Sequence, residues 1–221
     1  MRGSLLLLLM PVHAAQPLVT EAADVLGAGD CQLEAGAGRL GERDGPAQTA
    51  GDAVVACGVA GGHEIGLTLA ALRSEGATDK LVGLKGKTLL AGAADGATAF
   101  ALAYSLFRSH GAAEGWNPVG ARLYGVASHE LAKDLTGHLN LGWLRSGRSA
   151  LNTTTWSMGI EGDGRLGWAA DLFGDDRSAP WLSAGVKLDL VEKLSGSLSL
   201  ARQLDASHAR LWTLGLTLEF F

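Results

Sequence analysis

The sequence has no surplus of positive charge and few charged residues of either sign. Its 221 residues contain 18 Lys and Arg against 23 Asp and Glu, which gives a net charge of -5. Because no basic surplus is available to neutralise phosphates, the chain is a poor candidate for binding nucleic acid. Charged residues make up 19% of the chain and hydrophobic residues 47%, whereas a disordered chain would be polar and rich in charge. The composition therefore predicts a folded protein.

Long hydrophobic runs are absent beyond the first residues. A membrane-spanning helix needs an apolar run of about 18 residues or more, and the rest of the sequence contains none. The mean hydropathy is nevertheless +0.17. The chain also has 32 glycines, which is about twice the usual ~7%. For an apolar, glycine-rich chain without spanning helices, a closed β-barrel is the membrane structure that remains.

The N-terminus has the features of a secretory signal peptide. Arg2 supplies a positive charge, residues 5–12 form a short apolar core, and Val12-His13-Ala14 fits the small-residue pattern of a cleavage site. We therefore predict that residues 1–14 are a signal peptide and that the mature chain is exported. A buried N-terminal strand or helix is the alternative.

Cysteine is scarce, and its use agrees with export. Cys31 and Cys57 are the two cysteines, an even number that suits an oxidising compartment. The midpoint between them lies near residue 44, within a polar loop at 39–52, so hairpin pairing would bring them opposite one another. We predict a cross-strand disulfide near the periplasmic end of this hairpin, with two free thiols as the alternative. Neither cysteine lies in a C-x-x-C motif or near a His cluster, and we predict no metal and no cofactor.

Apolar residues alternate with small or polar ones along most of the mature chain. In the last segment Trp212, Leu214, Leu216, Leu218 and Phe220 alternate with Thr213, Gly215, Thr217 and Glu219. A period of two places one set on each face of a β-strand. Helix is an alternative for the Ala-rich stretch 89–107. The pattern predicts about twelve strands, near residues 30–38, 53–61, 63–73, 80–92, 97–107, 119–131, 135–145, 151–161, 165–173, 181–191, 195–204 and 208–221.

The connections between these strands differ in length at the two ends. Longer loops are expected at 39–52, 74–79, 108–118, 146–150 and 174–180, and short turns between the remaining strand pairs. This arrangement is typical of an outer-membrane barrel, in which the short turns are periplasmic. We predict an all-β protein, a transmembrane antiparallel up-and-down β-barrel over residues 30–221 with both termini in the periplasm. Residues 15–29 form a periplasmic segment that could enter the lumen as a plug.

The two faces of the predicted strands carry different chemistry. On the apolar face, Trp143 and Trp212 fall near the long-loop end, and Trp168 and Phe220 near the short-turn end, as expected of two interfacial girdles. Ordinary aromatic packing in an inside-out soluble barrel is the alternative. The other face carries charges of both signs, which we predict to line the lumen. These lining residues are Lys85, Lys87, Arg122, Arg165, Asp171, Lys187, Asp189 and Glu219.

Two further features bear on partners and activity. The aromatic Phe221 ends the chain, similar to the signal read by the outer-membrane insertion machinery, so we expect that machinery and outer-membrane lipid as partners.

The polar face of two neighbouring strands carries the residues that a lipid-cleaving barrel enzyme would use. These are His138, Asn140, Ser157 and Glu161. Because these side chains are expected to point inward, away from lipid, we predict that the protein is not an enzyme.

The mature N-terminus also carries a family resemblance. Pro17-Leu18-Val19-Thr20-Glu21, Asp24-Val25-Leu26 and Gly29-Asp30-Cys31-Gln32-Leu33-Glu34 resemble the opening of a family of proteobacterial outer-membrane barrels labelled for the meta-cleavage (MetA) pathway of phenol degradation. The resemblance implies a channel or transporter for hydrophobic or aromatic compounds. Taken together, we predict a passive channel for small solutes, the solute itself being unknown. A lumen-filled barrel with a structural or surface-interaction role is the alternative, followed by a lipid-modifying enzyme.

Overall fold

A computed structural model describes residues 17–42, 45–92, 97–111 and 115–221. The predicted signal peptide, residues 1–14, lies outside the described residues. Within the described part of the chain, no helix has both the length and the apolar character needed to cross a membrane.

Twelve long strands, of 10 to 16 residues each, form a closed antiparallel β-barrel, which confirms the predicted fold and strand number. Neighbouring strands in the sequence pair with one another, and β1 pairs with β13 to close the ring. A thirteenth strand, β6, has two residues and pairs only with the end of β5. The strands are β1 (Cys31–Gly41), β2 (Gln48–Val59), β3 (His63–Ser74), β4 (Ala77–Gly92), β5 (Thr98–Gly111), β6 (Gly115–Trp116), β7 (Gly120–Ala132), β8 (Leu135–Arg145), β9 (Asn152–Gly162), β10 (Leu166–Asp175), β11 (Trp181–Val191), β12 (Leu194–Gln203) and β13 (Arg210–Phe220).

Most of the large apolar side chains point out of the barrel. On β13, Leu214 and Leu216 are 60% and 47% exposed, whereas Leu211 and Thr217 on the opposite face are buried. A soluble barrel would bury its leucines, because exposing them to water is costly. An outward apolar band is stable only when it faces lipid, so the fold is that of a transmembrane barrel.

The strands extend further at the long-loop end than the sequence predicts. The loop expected at 39–52 is shorter than predicted, because β1 continues to Gly41 and β2 begins at Gln48. The expected loop at 74–79 is wrong. Glu75 and Gly76 form a two-residue turn with φ of 49° and 82°, the left-handed conformation that closes tight hairpins.

The helix alternative for residues 89–107 is not supported. Residues 98–111 form β5, and β4 continues to Gly92, while residues 93–96 lie outside the described part of the chain. In β5 the alanines face inward and the larger residues outward: Ala101 and Ala103 are buried, and Phe100 and Leu106 are exposed. This alternation is what a strand requires and a helix would not produce.

A disulfide joins the first two strands. Cys31 and Cys57 lie directly opposite one another in the register of β1 and β2, and their sulfur atoms are bonded. The bond lies at the short-turn end of the barrel, where β1 begins and β13 ends. The predicted cross-strand disulfide is thus confirmed.

Candidate functional site: the barrel lumen

The segment before β1 runs through the interior of the barrel. The backbone N–H of Val19 donates to the Asp171 carboxylate at 3.2 Å, that of Ala23 to Ser128 Oγ at 2.8 Å, and that of Leu26 to the Glu64 carboxylate at 3.4 Å. The three acceptors belong to β10, β7 and β3, which lie on different sides of the ring. A segment that reaches all three from their inward faces must cross the lumen.

Side chains of the barrel also bind the backbone of this segment. Lys87 Nζ donates to the carbonyl of Ala22 at 3.2 Å, and the Tyr124 hydroxyl donates to the Glu21 carboxylate. The side-chain amide of Asn140, oriented to satisfy both of its groups, pairs with the N–H and carbonyl of Glu21 at 2.7 and 3.0 Å. The contacts of Lys87 and Asn140 satisfy backbone groups of the segment that would otherwise be buried without partners, and the Tyr124 contact holds the Glu21 side chain.

Two inward-facing glycines make room for the start of the segment. A Cβ atom at Gly185 would lie 2.8 Å from the Cβ of Pro17, and one at Gly159 would lie 3.1 Å from a methyl carbon of Leu18. Side chains at these positions would therefore displace the segment. Glycine on the polar face of the strands thus has a packing role here.

A chain of hydrogen bonds joins side chains of β7, β8 and β9 next to the segment. Ser128 Oγ lies 2.8 Å from His138 Nδ1, and His138 Nε2 lies 3.1 Å from the Glu161 carboxylate. Ser128 and His138 are both buried. A serine, a histidine and a carboxylate in series resemble a hydrolase triad, but here the serine oxygen accepts the N–H of Ala23. The arrangement positions the segment instead of exposing a nucleophile.

Sequence reasoning grouped His138 and Glu161 correctly but missed Ser128. Ser128 lies directly opposite His138 in the register of β7 and β8, so strand pairing alone could have identified it. Asn140 does not bond to His138 but to the backbone of Glu21 in the segment. Ser157 is buried on β9 and takes no part in this chain of hydrogen bonds.

A cavity of about 170 Å³ lies between the segment and the wall formed by β1, β3 and β4. Its charged wall residues have both signs, and Lys85 Nζ lies 3.8 Å from the carboxylate of Glu64. Glu64 and Glu34 are almost fully buried, 5% and 2% exposed. The cavity is lined by Leu18, Glu21, Ala22, Asp24, Val25, Leu26, Gln32, Glu34, Glu64, Lys85 and Lys87.

The predicted lining residues fall into distinct places. Lys85 and Lys87 lie at this cavity, and Asp171 lies across the lumen against the segment. The Arg122 guanidinium lies 4.4 Å from the centre of the Tyr124 ring. The others are exposed at the short-turn end. Lys187, Asp189 and Glu219 have the inward parity of their strands there, and Arg165 lies in the turn before β10.

The long-loop half of the lumen holds an apolar cluster that the sequence did not predict. Phe173 on β10 and Trp181 on β11 stack with their rings nearly parallel, at 6.4 Å between centroids. Val19 of the segment packs against this cluster. The cluster consists of Leu40, Leu72, Phe173, Trp181, Ala201, Ala209 and Leu211. The long-loop half of the lumen thus contains a packed apolar cluster, whereas the cavity beside the segment is lined by charged side chains.

The predicted girdle residues lie on the outer surface. Trp143, Trp168 and Trp212 are each 40–50% exposed, and Phe220 is partly exposed at the end of β13.

Among residues 17–42, 45–92, 97–111 and 115–221, no three His, Cys, Asp or Glu side chains are grouped to hold a metal ion.

Residues 4–220 match the family model described as uncharacterised conserved protein UCP029691. The chain belongs to this family. No curated protein matches its sequence. Nothing in the comparisons ties the chain to the phenol-degradation pathway named by the N-terminal resemblance, although the outer-membrane barrel fold that the resemblance implies is present.

Solved structures with the same fold are outer-membrane barrels. The KdgM porin is 11% identical with a TM-score of 0.59, and the match covers 85% of this chain and 99% of the porin. The NanC porin is 10% identical with a TM-score of 0.61, covering 84% and 98%. The translocator domain of the autotransporter NalP from Neisseria meningitidis is 13% identical with a TM-score of 0.58, covering 90% and 91%. Identities this low show a shared fold.

Proposed function

We propose that the protein is a passive channel of the outer membrane for small solutes, with the segment of residues 17–29 acting as a plug in its lumen. The main support is the cavity beside the plug, whose wall combines buried Glu34 and Glu64 with Lys85 and Lys87. Buried charges are costly unless they are paired or solvated. A wall of this kind suits a wet pathway better than a packed core.

The polar wall favours small hydrophilic solutes over the aromatic compounds that the N-terminal resemblance implies. Selectivity in such a pore comes from rings of charge and from constrictions. Inward-facing acids outnumber inward-facing bases along the described strands, so the pathway favours cations. The acids are Glu34, Asp52, Glu64, Asp79, Glu130, Glu161, Asp171, Asp175, Asp189 and Glu219, and the bases are Lys85, Lys87, Arg122 and Lys187.

The plug is held by hydrogen bonds and packs only a few apolar side chains, which suits a segment that must move. Val19, Ala23 and Leu26 are each fixed through a backbone N–H. Structure of this kind opens locally at lower free energy than a packed core does. Displacement of the segment would join the cavity to the rest of the lumen.

Conductance in planar bilayers tests the proposal. We expect discrete currents from the refolded protein, and larger or more frequent openings from Asp171→Ala, which removes the acceptor for Val19. A disulfide built by Ala23→Cys and Ser128→Cys would fix the plug and should abolish the increase until reductant is added.

The apolar cluster supports a second candidate, a filled barrel with a structural or surface role. Phe173, Trp181 and Leu211 occupy the lumen near the long loops, where water and ions would have to pass. Absence of current at any voltage, with both the parent protein and Asp171→Ala, would refute the channel and favour this role.

A further inference from the structure

The outer surface of the barrel carries charges of one sign at one end. Along the described strands, outward-facing positions hold no Asp or Glu, and every Lys or Arg among them lies near the long loops. All of these basic side chains are exposed. They are Arg39, Arg73, Lys80, Arg108, Arg145, Arg202 and Arg210.

Six of these residues form an arc over seven neighbouring strands of the barrel. They lie on β12, β13, β1, β3, β4 and β5, which follow one another around the ring. The strand between β1 and β3, β2, carries no outward-facing Lys or Arg. Arg145, on β8, lies apart from the others. We call the six residues the basic arc.

Three arginines of the arc lie on adjacent strands, so that like charges are next to one another. Arg202 and Arg210 lie directly opposite one another on β12 and β13, and Arg39 follows on β1, paired with Trp212. Like charges directly opposite one another destabilise a sheet. None of the six forms an ion pair with a described carboxylate, so the protein's own described acids do not offset this repulsion.

The arc lies at the height of lipid headgroups. Trp212 is two residues from Arg210, and Leu200 is two residues from Arg202, on the same outward face. Two residues along a strand span about 7 Å, so each basic group lies just beyond the apolar band. Interfacial tryptophan marks the boundary of the hydrocarbon, and basic residues at this level attract anionic headgroups.

We propose that the basic arc binds the phosphate groups of lipopolysaccharide in the outer leaflet. With the short turns periplasmic, the arc faces the outer leaflet, and no Lys or Arg faces outward on the described strands at the opposite end. Guanidinium groups suit phosphate because they donate paired hydrogen bonds in a planar fork. Several phosphates on one headgroup match several arginines on neighbouring strands, which a lipid with a single phosphate does not. This site is independent of whether the lumen conducts.

Native mass spectrometry of the refolded full barrel, titrated with purified lipopolysaccharide in detergent, tests the proposal. Arg202→Gln with Arg210→Gln should weaken binding roughly 25-fold, since each basic group near an anionic lipid contributes about a factor of five. The control, Lys133→Gln with Lys193→Gln, removes the same charge from exposed turns at the opposite end and should leave binding unchanged. Arg202→Lys with Arg210→Lys should restore most of the affinity.

Two further titrations identify the lipid chemistry. Lipopolysaccharide stripped of its phosphates should bind the parent protein as weakly as the intact lipid binds the glutamine variant, and phosphatidylglycerol should not compete at equal concentration. Equal binding by the glutamine and parent proteins, by the stripped and intact lipid, or by phosphatidylglycerol would overturn the proposal. Heat-dependent gel mobility, which reports a closed barrel, verifies folding of each variant.

Discussion

Replacement of Asp171 by alanine should release the first part of the plug without unfolding the barrel. The Asp171 carboxylate accepts the N–H of Val19 at 3.2 Å and the hydroxyl of Thr20 at 3.4 Å. Asp171 and Thr20 are buried, 3% and 1% exposed, so water screens these bonds little. Asp171→Asn keeps an acceptor oxygen of nearly the same shape and serves as the matched control.

The size of the effect follows from these two bonds. Hydrogen bonds to a charged acceptor contribute about 1.5–3 kcal/mol each. Because both distances lie at or beyond the long end of the usual range, we take about 1 kcal/mol for each bond, or about 2 kcal/mol together. At about 1.4 kcal/mol per factor of ten, the local opening constant should rise roughly 30-fold.

Hydrogen exchange measures this opening directly. In Asp171→Ala the amide of Val19 should lose roughly 30-fold in protection, while amides in the middle of β8 and β13 keep theirs. The amide of Ala23, held separately by Ser128, should change less. Unchanged protection at Val19 would refute the anchoring role, and an equal loss across all strands would show that Asp171 stabilises the barrel instead of the plug.

Three other perturbations test separate parts of the structure. Reducing the Cys31–Cys57 bond, which closes a loop with a sequence separation of 26, should lower the free energy of unfolding by about 2–4 kcal/mol in urea titrations; no change would show that the bond adds no stability. Gly142→Ala should destabilise the barrel by about 1–3 kcal/mol, because its new Cβ would lie 2.3 Å from the Cβ of Tyr124, whereas Gly125→Ala, with 4.0 Å of clearance, should be neutral in the same titration. Reversal potentials in asymmetric salt should show cation preference, reduced by Glu64→Gln; anion preference would contradict the excess of inward acids.

The barrel could be predicted because its signal is local. Alternation along one strand depends only on which face meets lipid, so β13 was recognisable from its own residues. The Cys31–Cys57 pairing followed from a midpoint that lies within a loop. The turn at Glu75–Gly76 was harder, since neither Asn-Gly nor Asp-Gly marks it and polar residues on both sides gave the appearance of a longer loop.

The contents of the lumen depend on closure of the ring, which the sequence does not show. Residues 17–29 have no period, and their partners are up to 152 positions away, as in the contact of Val19 with Asp171. Phe173 and Trp181 carry the inward parity of their strands, where the pattern otherwise places polar side chains. Only the folded ring shows that several strands place apolar groups at the same height, which turns separate exceptions into one cluster.

The net charge of -5 does not show that charges of opposite sign predominate on the inward and outward faces of the described strands. Acids dominate the inward faces, with Glu34, Glu64 and Asp171 buried there, whereas outward-facing charges on the described strands are basic and confined to the long-loop end. Charge on the lipid face costs about 2–4 kcal/mol at the midplane for Lys or Arg but only about 0–1 near the interfaces. Placement at the interface therefore explains why these groups are tolerated. Their clustering, with Arg202 directly opposite Arg210, is not explained by tolerance and agrees with the proposed binding of lipid phosphates.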